Sequence, residues 1–292
     1  MKAINFLIQI SAFTLFVAIN AGAQSSDSDS TGLPGDNFSL QGALEMFKKS
    51  TSVEEFEKLI NSADNHVNNL DLNGDGDIDY IRVIDNSKGD VHAFVLQATL
   101  SEKENLDIAV IELEKTGDNE ATLQILGDED IYGVQTIVEP SDENEIKSED
   151  SMEPAKKGGP NPWFTGSMDA AIVINVWPWP CVRFVYAPAY RPWVSPWRWR
   201  VYPGWWRPWR PLGWRVFHPF RARYHRGFAV VSTHRMVKAH RVYTPHRVTS
   251  VTVKTRHGAN VNKYRVTRTK TTVTGPKGKT KVTKTRTTVR KR

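Results

Sequence analysis

The stretch DYIRVIDNSKGDVHAFVLQATLSEKENLDIAVIELEKTGDNEATLQIL, residues 79–126, decides the fold. It divides into four runs rich in Val, Ile and Leu, at 79–85, 91–100, 106–115 and 121–126. The segments between them, 86–90, 101–105 and 116–120, are short and polar. Strands joined so briefly pair antiparallel, because a parallel crossover needs a dozen residues or more. Upstream, residues 39–49 place Leu40, Leu44 and Phe47 on one helical face. A second helix starts at Ser52, where Ser52 and Glu55 have capping-box spacing and Val53, Phe56, Leu59 and Ile60 form the apolar stripe. Two helices packed on a four-stranded antiparallel meander predict an α+β domain over 39–140.

Charge divides the chain. Residues 24–169 hold 32 acids and 10 bases, a balance of −22, whereas residues 170–292 hold 28 bases and no acid. A polycation of that length seeks polyanions or folds back onto its own acidic half. At the start, Lys2, an apolar run from Phe6 to Ile19 and the small residues Ala21-Gly22-Ala23 read as a signal peptide over 1–23, which predicts export to periplasm, cell surface or medium. Residues 24–38 read as a disordered lead-in and 141–162 as a charged linker. The single cysteine, Cys181, allows no internal disulfide.

Residues 71–79, DLNGDGDID, carry a defined chemistry. Oxygen donors at loop positions 1, 3 and 5 with glycine at 6 wrap a short backbone arc around one hard cation, and Ca²⁺ suits this set better than Mg²⁺. The stretch resembles the calcium loops of EF-hand and dockerin modules and the DxNGDGxxD loops of integrin-type β-propeller repeats. The resemblance covers about a dozen residues. It implies Asp71, Asn73 and Asp75 as side-chain ligands, Asp77 through its carbonyl, and Asp79. Position 12 is Arg82 instead of the bidentate glutamate of an EF-hand, and the residues after the loop read as strand. The loop-to-strand variant therefore fits better, with the ion bracing the junction between helices and sheet.

All ten tryptophans fall between Trp163 and Trp214, interleaved with proline and arginine, so 163–220 forms a Trp/Pro/Arg-rich region. In composition it is similar to Trp/Pro/Arg-rich antimicrobial peptides such as indolicidin. Arginine beside tryptophan binds phosphate while stacking on the indole, which nominates Arg198, Arg200, Arg207 and Arg210 with Trp197, Trp199, Trp205, Trp206 and Trp209. An alternative, packed reading pairs 172–176 with 182–186 as strands and lets the tryptophans fill an irregular core. The basic tail, 221–292, is low in complexity and carries a near-repeat, VTRTKTTV at 266–273 and VTKTRTTV at 282–289, with a GPKG turn between. The turn would allow a hairpin, marginal by itself because it buries few apolar groups and crowds like charges, so the tail reads as partly disordered. Arg268, Lys270, Lys284 and Arg286 add polyanion-binding charge, and 248–256 reads as a third, weaker strand-like relative.

No P-loop, dinucleotide fingerprint, HExxH or local triad signature occurs. His234, His240 and His246 are six apart, a spacing that faces neither helix nor strand, and read as polar surface residues. The sequence therefore predicts a non-enzymatic, calcium-binding exported protein with no small-molecule substrate. Its basic aromatic half would bind lipopolysaccharide, acidic glycan, anionic lipid or extracellular DNA. The alternative is a membrane-active cationic protein held in check by its acidic half.

Overall fold

The computed structural model describes residues 30–141 and 173–264, and the backbone of two further strands at 267–274 and 281–288. The predicted signal peptide lies outside the described residues, as does the charged linker apart from Ser141. The described part is α+β, with a six-stranded antiparallel sheet and seven helices.

Four strands follow the predicted runs closely: β1 (Ile81–Lys88), β2 (Val91–Thr99), β3 (Asn105–Gly117) and β4 (Glu120–Gly127), all antiparallel neighbours. The sheet then exceeds the predicted meander of four. The chain leaves β4 through the short helix α3 (Glu129–Tyr132) into β5 (Thr136–Pro140), and β6 (Phe228–Val231) from the basic half pairs with β5. Both added strands are five residues or fewer, and β5 ends on a proline. Neither offers a run long enough to register as a strand in the sequence.

Helices α1 (Leu40–Lys49) and α2 (Val53–Ile60) form as the apolar spacing predicts. Ser39 Oγ accepts from Gly42 N and Ser52 Oγ from Glu55 N, satisfying N–H groups that a helix start leaves orphaned. Phe47 and Phe56 meet edge to face at 5.2 Å, and Phe47 reaches Phe94 of β2. This cluster continues without a break into the basic half. Val176, Trp179, Cys181, Val182, Val185, Tyr224 and Val253 are buried in it. Four of them lie in or beside α4 (Pro180–Val185), a helix that begins on a proline and stands where strand pairing of 182–186 was the packed alternative. The lead-in expected to be disordered is packed from Ser30 onward, where the Asp36 carboxylate accepts from Ser30 Oγ, Thr31 Oγ1 and Gly32 N.

The opposite face of the sheet is buried as well. Ala93, Val95, Val110, Leu126 and Ile137 form a second apolar cluster closed by Tyr243 of α6 (Val237–Tyr243). Burial on both faces explains why β2 and β3 read as nearly continuous apolar runs. The sheet edge is covered too. Val194 bridges Ile84 of β1, with Asp85 N donating to Trp193 O and Ser195 N to Val83 O. Two helices complete the described chain, α5 (Trp214–Ala222) and α7 (Val251–Tyr264).

The segment 248–256, read as strand-like, mostly enters α7. Tertiary contacts override the β-branched composition here. Ser250 Oγ accepts from Val253 N, and the Glu104 carboxylate accepts from Val251 N and Thr252 N at the positive end of the helix. Val253 and Val261, eight residues apart, are the buried pair. Beyond it, β7 (Thr267–Thr274) and β8 (Lys281–Thr288) pair antiparallel, the hairpin that the repeat allows.

Candidate functional site

The loop 71–79 joins the end of the helical layer to β1. Its ends are tied together, since Asp79 N donates to Leu70 O and Leu72 N to Asp79 Oδ2. Gly74 and Gly76 take φ of 70° and 89°, the left-handed region that side chains resist. Asp71 Oδ1 accepts from Gly74 N and Asp75 N, and its Oδ2 accepts from Gly76 N. Asn73 Oδ1 accepts from Asp75 N, and Asp75 Oδ1 from Asp77 N. The three expected side-chain donors thus bond the loop's own backbone, although Asp75, like Asp77, is exposed. Leu72 and Ile78 point into the core and anchor the arc.

Asp79 is buried, and burial together with the neighbouring charges of Asp71 and Asp75 pushes its carboxyl up to about 8. Arg82 does not take the twelfth ligand place. Its guanidinium donates twice to Gln97 Oε1 along the sheet. The Arg256 guanidinium of α7 rests against Gly74, where an added Cβ would come within 1.8 Å of Nη1. The Trp/Pro/Arg region closes the other side. Ile78 N donates to Trp209 O, Leu212 N to Asn69 Oδ1, and the Trp206 ring meets Tyr80 edge on at 5.0 Å.

Comparison with protein-family models, curated proteins and solved structures found no match to this chain.

The nominated aromatic and basic residues separate by burial. Trp206 is 2 % exposed and belongs to the interior, a correction to its expected place on a binding surface. Its indole packs on Tyr80 and Tyr202, which takes it out of reach of an external ligand. Trp197, Trp199 and Trp209 are half-buried, and Trp205 is exposed. Arg198, Arg200, Arg207 and Arg210 are all exposed, and none forms a salt bridge among the described residues. Arg200 sits over the Trp199 ring at 5.6 Å, at the tip of a tight turn closed by reciprocal bonds between Arg198 and Val201. The side chains of Arg268, Lys270, Lys284 and Arg286 lie outside the described residues.

Other bases turn inward. Arg247 grips Asp128 with two bonds, of 2.8 and 3.0 Å, and Lys254 reaches Asp130. Arg235 pairs with Glu139. Cys181 is buried and burial pushes its thiol up to about 12, so it is held as the unreactive thiol.

The reading of His234 and His240 as plain surface residues needs correction, whereas His246 is exposed as expected. His234 Nε2 and His240 Nδ1 lie 2.6 and 2.7 Å from the two oxygens of Glu112, a carboxylate with no exposed side-chain area. The six-residue spacing failed as a guide because His234 lies ahead of α6 and His240 within it, so neither period applies. One sequence signal was available. Val110, Glu112 and Glu114 share a face of a strand otherwise buried on both sides, and an acid there needs a partner.

Proposed function

We propose that this is an exported, non-catalytic, calcium-braced protein that binds anionic polymers of the cell envelope or matrix. The observation that carries this reading is the set of four exposed arginines at 198–210, which form no salt bridge among the described residues and alternate in sequence with half-buried tryptophans. Eleven bases and no acid follow Tyr264, which adds charge of the same sign. A further cleft, between the β1–β2 turn and α6, is lined by Lys88, Lys238, Arg241 and His246 with no acid among its lining residues. Exposed cations in such number recognise phosphate, sulfate or carboxylate on a flexible polymer, without reading its sequence.

Calcium has a bracing role in this reading. Asp71, Asn73, Asp75 and Asp79 supply hard oxygen donors, and Asp77 adds its carbonyl. A cation shared by these oxygens would offset the mutual repulsion of the Asp71, Asp75 and Asp79 carboxylates. The ion would fix the start of β1 and the contact with Trp209, and so set the base on which the four arginines stand. The membrane-active alternative fits less well, because Trp206 is interior and three neighbouring tryptophans are half-buried.

Binding of the full-length protein to duplex DNA, lipopolysaccharide micelles and anionic vesicles across a salt series tests the proposal. Replacing Arg198, Arg200, Arg207 and Arg210 by Ala should lower the salt slope on DNA by about one for each phosphate no longer neutralised. Failure to bind any of the three at low ionic strength would overturn it. In the same preparation, millimolar Ca²⁺ should raise Tm, and Asp71→Ala with Asp75→Ala should remove the rise.

A further inference from the structure

Glu112, His234 and His240 come from three separate stretches of chain, and their ligand atoms all lie within 4.8 Å of one another. Each is positioned by contacts independent of the other two. Glu112 projects from the middle of β3, between Val110 and Glu114 on the face that α6 covers. Glu114, one step along the same face, accepts from Lys238 N and Ala239 N, fixing the start of α6 and with it His240. Gln124 is the direct cross-strand partner of Glu112. Its side chain grips the backbone on both sides of His234, donating to Thr233 O and accepting from Arg235 N. The imidazole is thereby held over the carboxylate instead of trailing in solvent.

Ion pairing with an arginine or lysine does not account for this carboxylate. Among the described residues its two close partners are imidazoles, each with a ring nitrogen within hydrogen-bond distance of one carboxylate oxygen. His234 and His240 keep 22 % and 36 % of their side-chain area exposed, which leaves a way in and room for a water.

We propose that Glu112, His234 and His240 form a binding site for a divalent transition ion of the zinc class, with one position left for water. Two nitrogens and one oxygen select such an ion over Ca²⁺ or Mg²⁺, which prefer all-oxygen shells. Tetrahedral ligation places ligand atoms about 3.3 Å apart, so the two histidine–carboxylate separations, 2.6 and 2.7 Å, need to open by less than about 1 Å, and the widest pair, within 4.8 Å, needs to close by no more than about 1.5 Å. Gln124 and Glu114 do not touch the ligating rings; they hold the backbone that carries them, Gln124 on both sides of His234 and Glu114 at the start of α6. The ion would join β3 to α6 and so link the acidic and basic halves. This site is independent of the loop at 71–79 in both residues and ion chemistry.

Full-length protein stripped with a chelator decides the matter. Stoichiometric Zn²⁺ should raise its Tm, and Co²⁺ should give the intense visible bands of a four-coordinate site. His234→Ala combined with His240→Ala should abolish both responses while leaving the Ca²⁺ response intact. Glu112→Gln keeps the shape and hydrogen-bonding reach of the carboxyl, so it should stay folded and bind Zn²⁺ more weakly. Gln124→Ala should weaken Zn²⁺ binding, because it releases the backbone on both sides of His234. Absence of a Co²⁺ spectrum from folded wild-type protein would overturn the proposal. So would an undiminished Zn²⁺ response in the double histidine variant.

Discussion

Glu57 shows how a single side chain can join two compositionally foreign regions. It is 2 % exposed and accepts four hydrogen bonds. Tyr80 Oη and Ser195 Oγ donate to Oε1 at 2.7 and 2.8 Å, while Val83 N and Trp193 Nε1 donate to Oε2 at 2.9 and 3.1 Å. Burial pushes its pKa up and the four donors pull it back, with burial the larger influence. Glu57→Gln keeps the volume but turns an NH₂ group toward two of those donors. A buried donor left without an acceptor costs about 1–3 kcal/mol, so for two donors a loss of at least about 2 kcal/mol is expected. For a chain of this size that lowers Tm by about 5 °C or more, which a thermal melt by circular dichroism would register. An unchanged Tm would mean that the amide finds acceptors among these same groups.

At the level of elements, legibility followed length and local pattern. The four long strands and both N-terminal helices stand out because each repeats its apolar period over eight residues or more. The loop 71–79 stands out because its ligand pattern is wholly local. What the sequence concealed is non-local. Residues 193–195 act as a guard strand on β1, yet Trp193-Val194-Ser195 sits among prolines and has no strand pattern of its own. Its role depends on β1, more than a hundred residues earlier. Covering β1 matters because an open edge invites pairing with other chains. Ser195→Pro removes the donor to Val83 O and the hydroxyl bond to Glu57 together. The expected cost is roughly 2–3 kcal/mol, from one missing ladder bond and one missing charge-assisted bond. Light scattering should also show slow association, which Ser195→Ala should not produce because it keeps the backbone donor. Equal behaviour of the two variants would show that the edge is protected by something other than this segment.

For the whole molecule, the opposed charges of the two halves suggest two parts, whereas the apolar contacts make one. Val95, Val110, Leu126 and Ile137 are buried on the sheet face that α6 covers, and Val182 and Val185 complete the cluster on the other face. Exposing a buried Val, Leu or Ile costs roughly 1.5–3 kcal/mol, so baring those first four costs about 6–12 kcal/mol. Net stabilities of whole domains are about 5–15 kcal/mol, so residues 30–141 alone are expected not to hold a cooperative fold. Expressed by themselves they should bind a hydrophobic dye and melt without a sharp transition, and β1 and β5 would both become free edges. Supplying 173–264 in trans should restore the transition, since what must be remade is mostly side-chain burial and the β5–β6 ladder. A sharp melt from 30–141 alone, at the Tm of the full chain, would mean that the basic half rests on a sheet already stable without it. The arginines of that half would then be free to leave the sheet for an external polyanion.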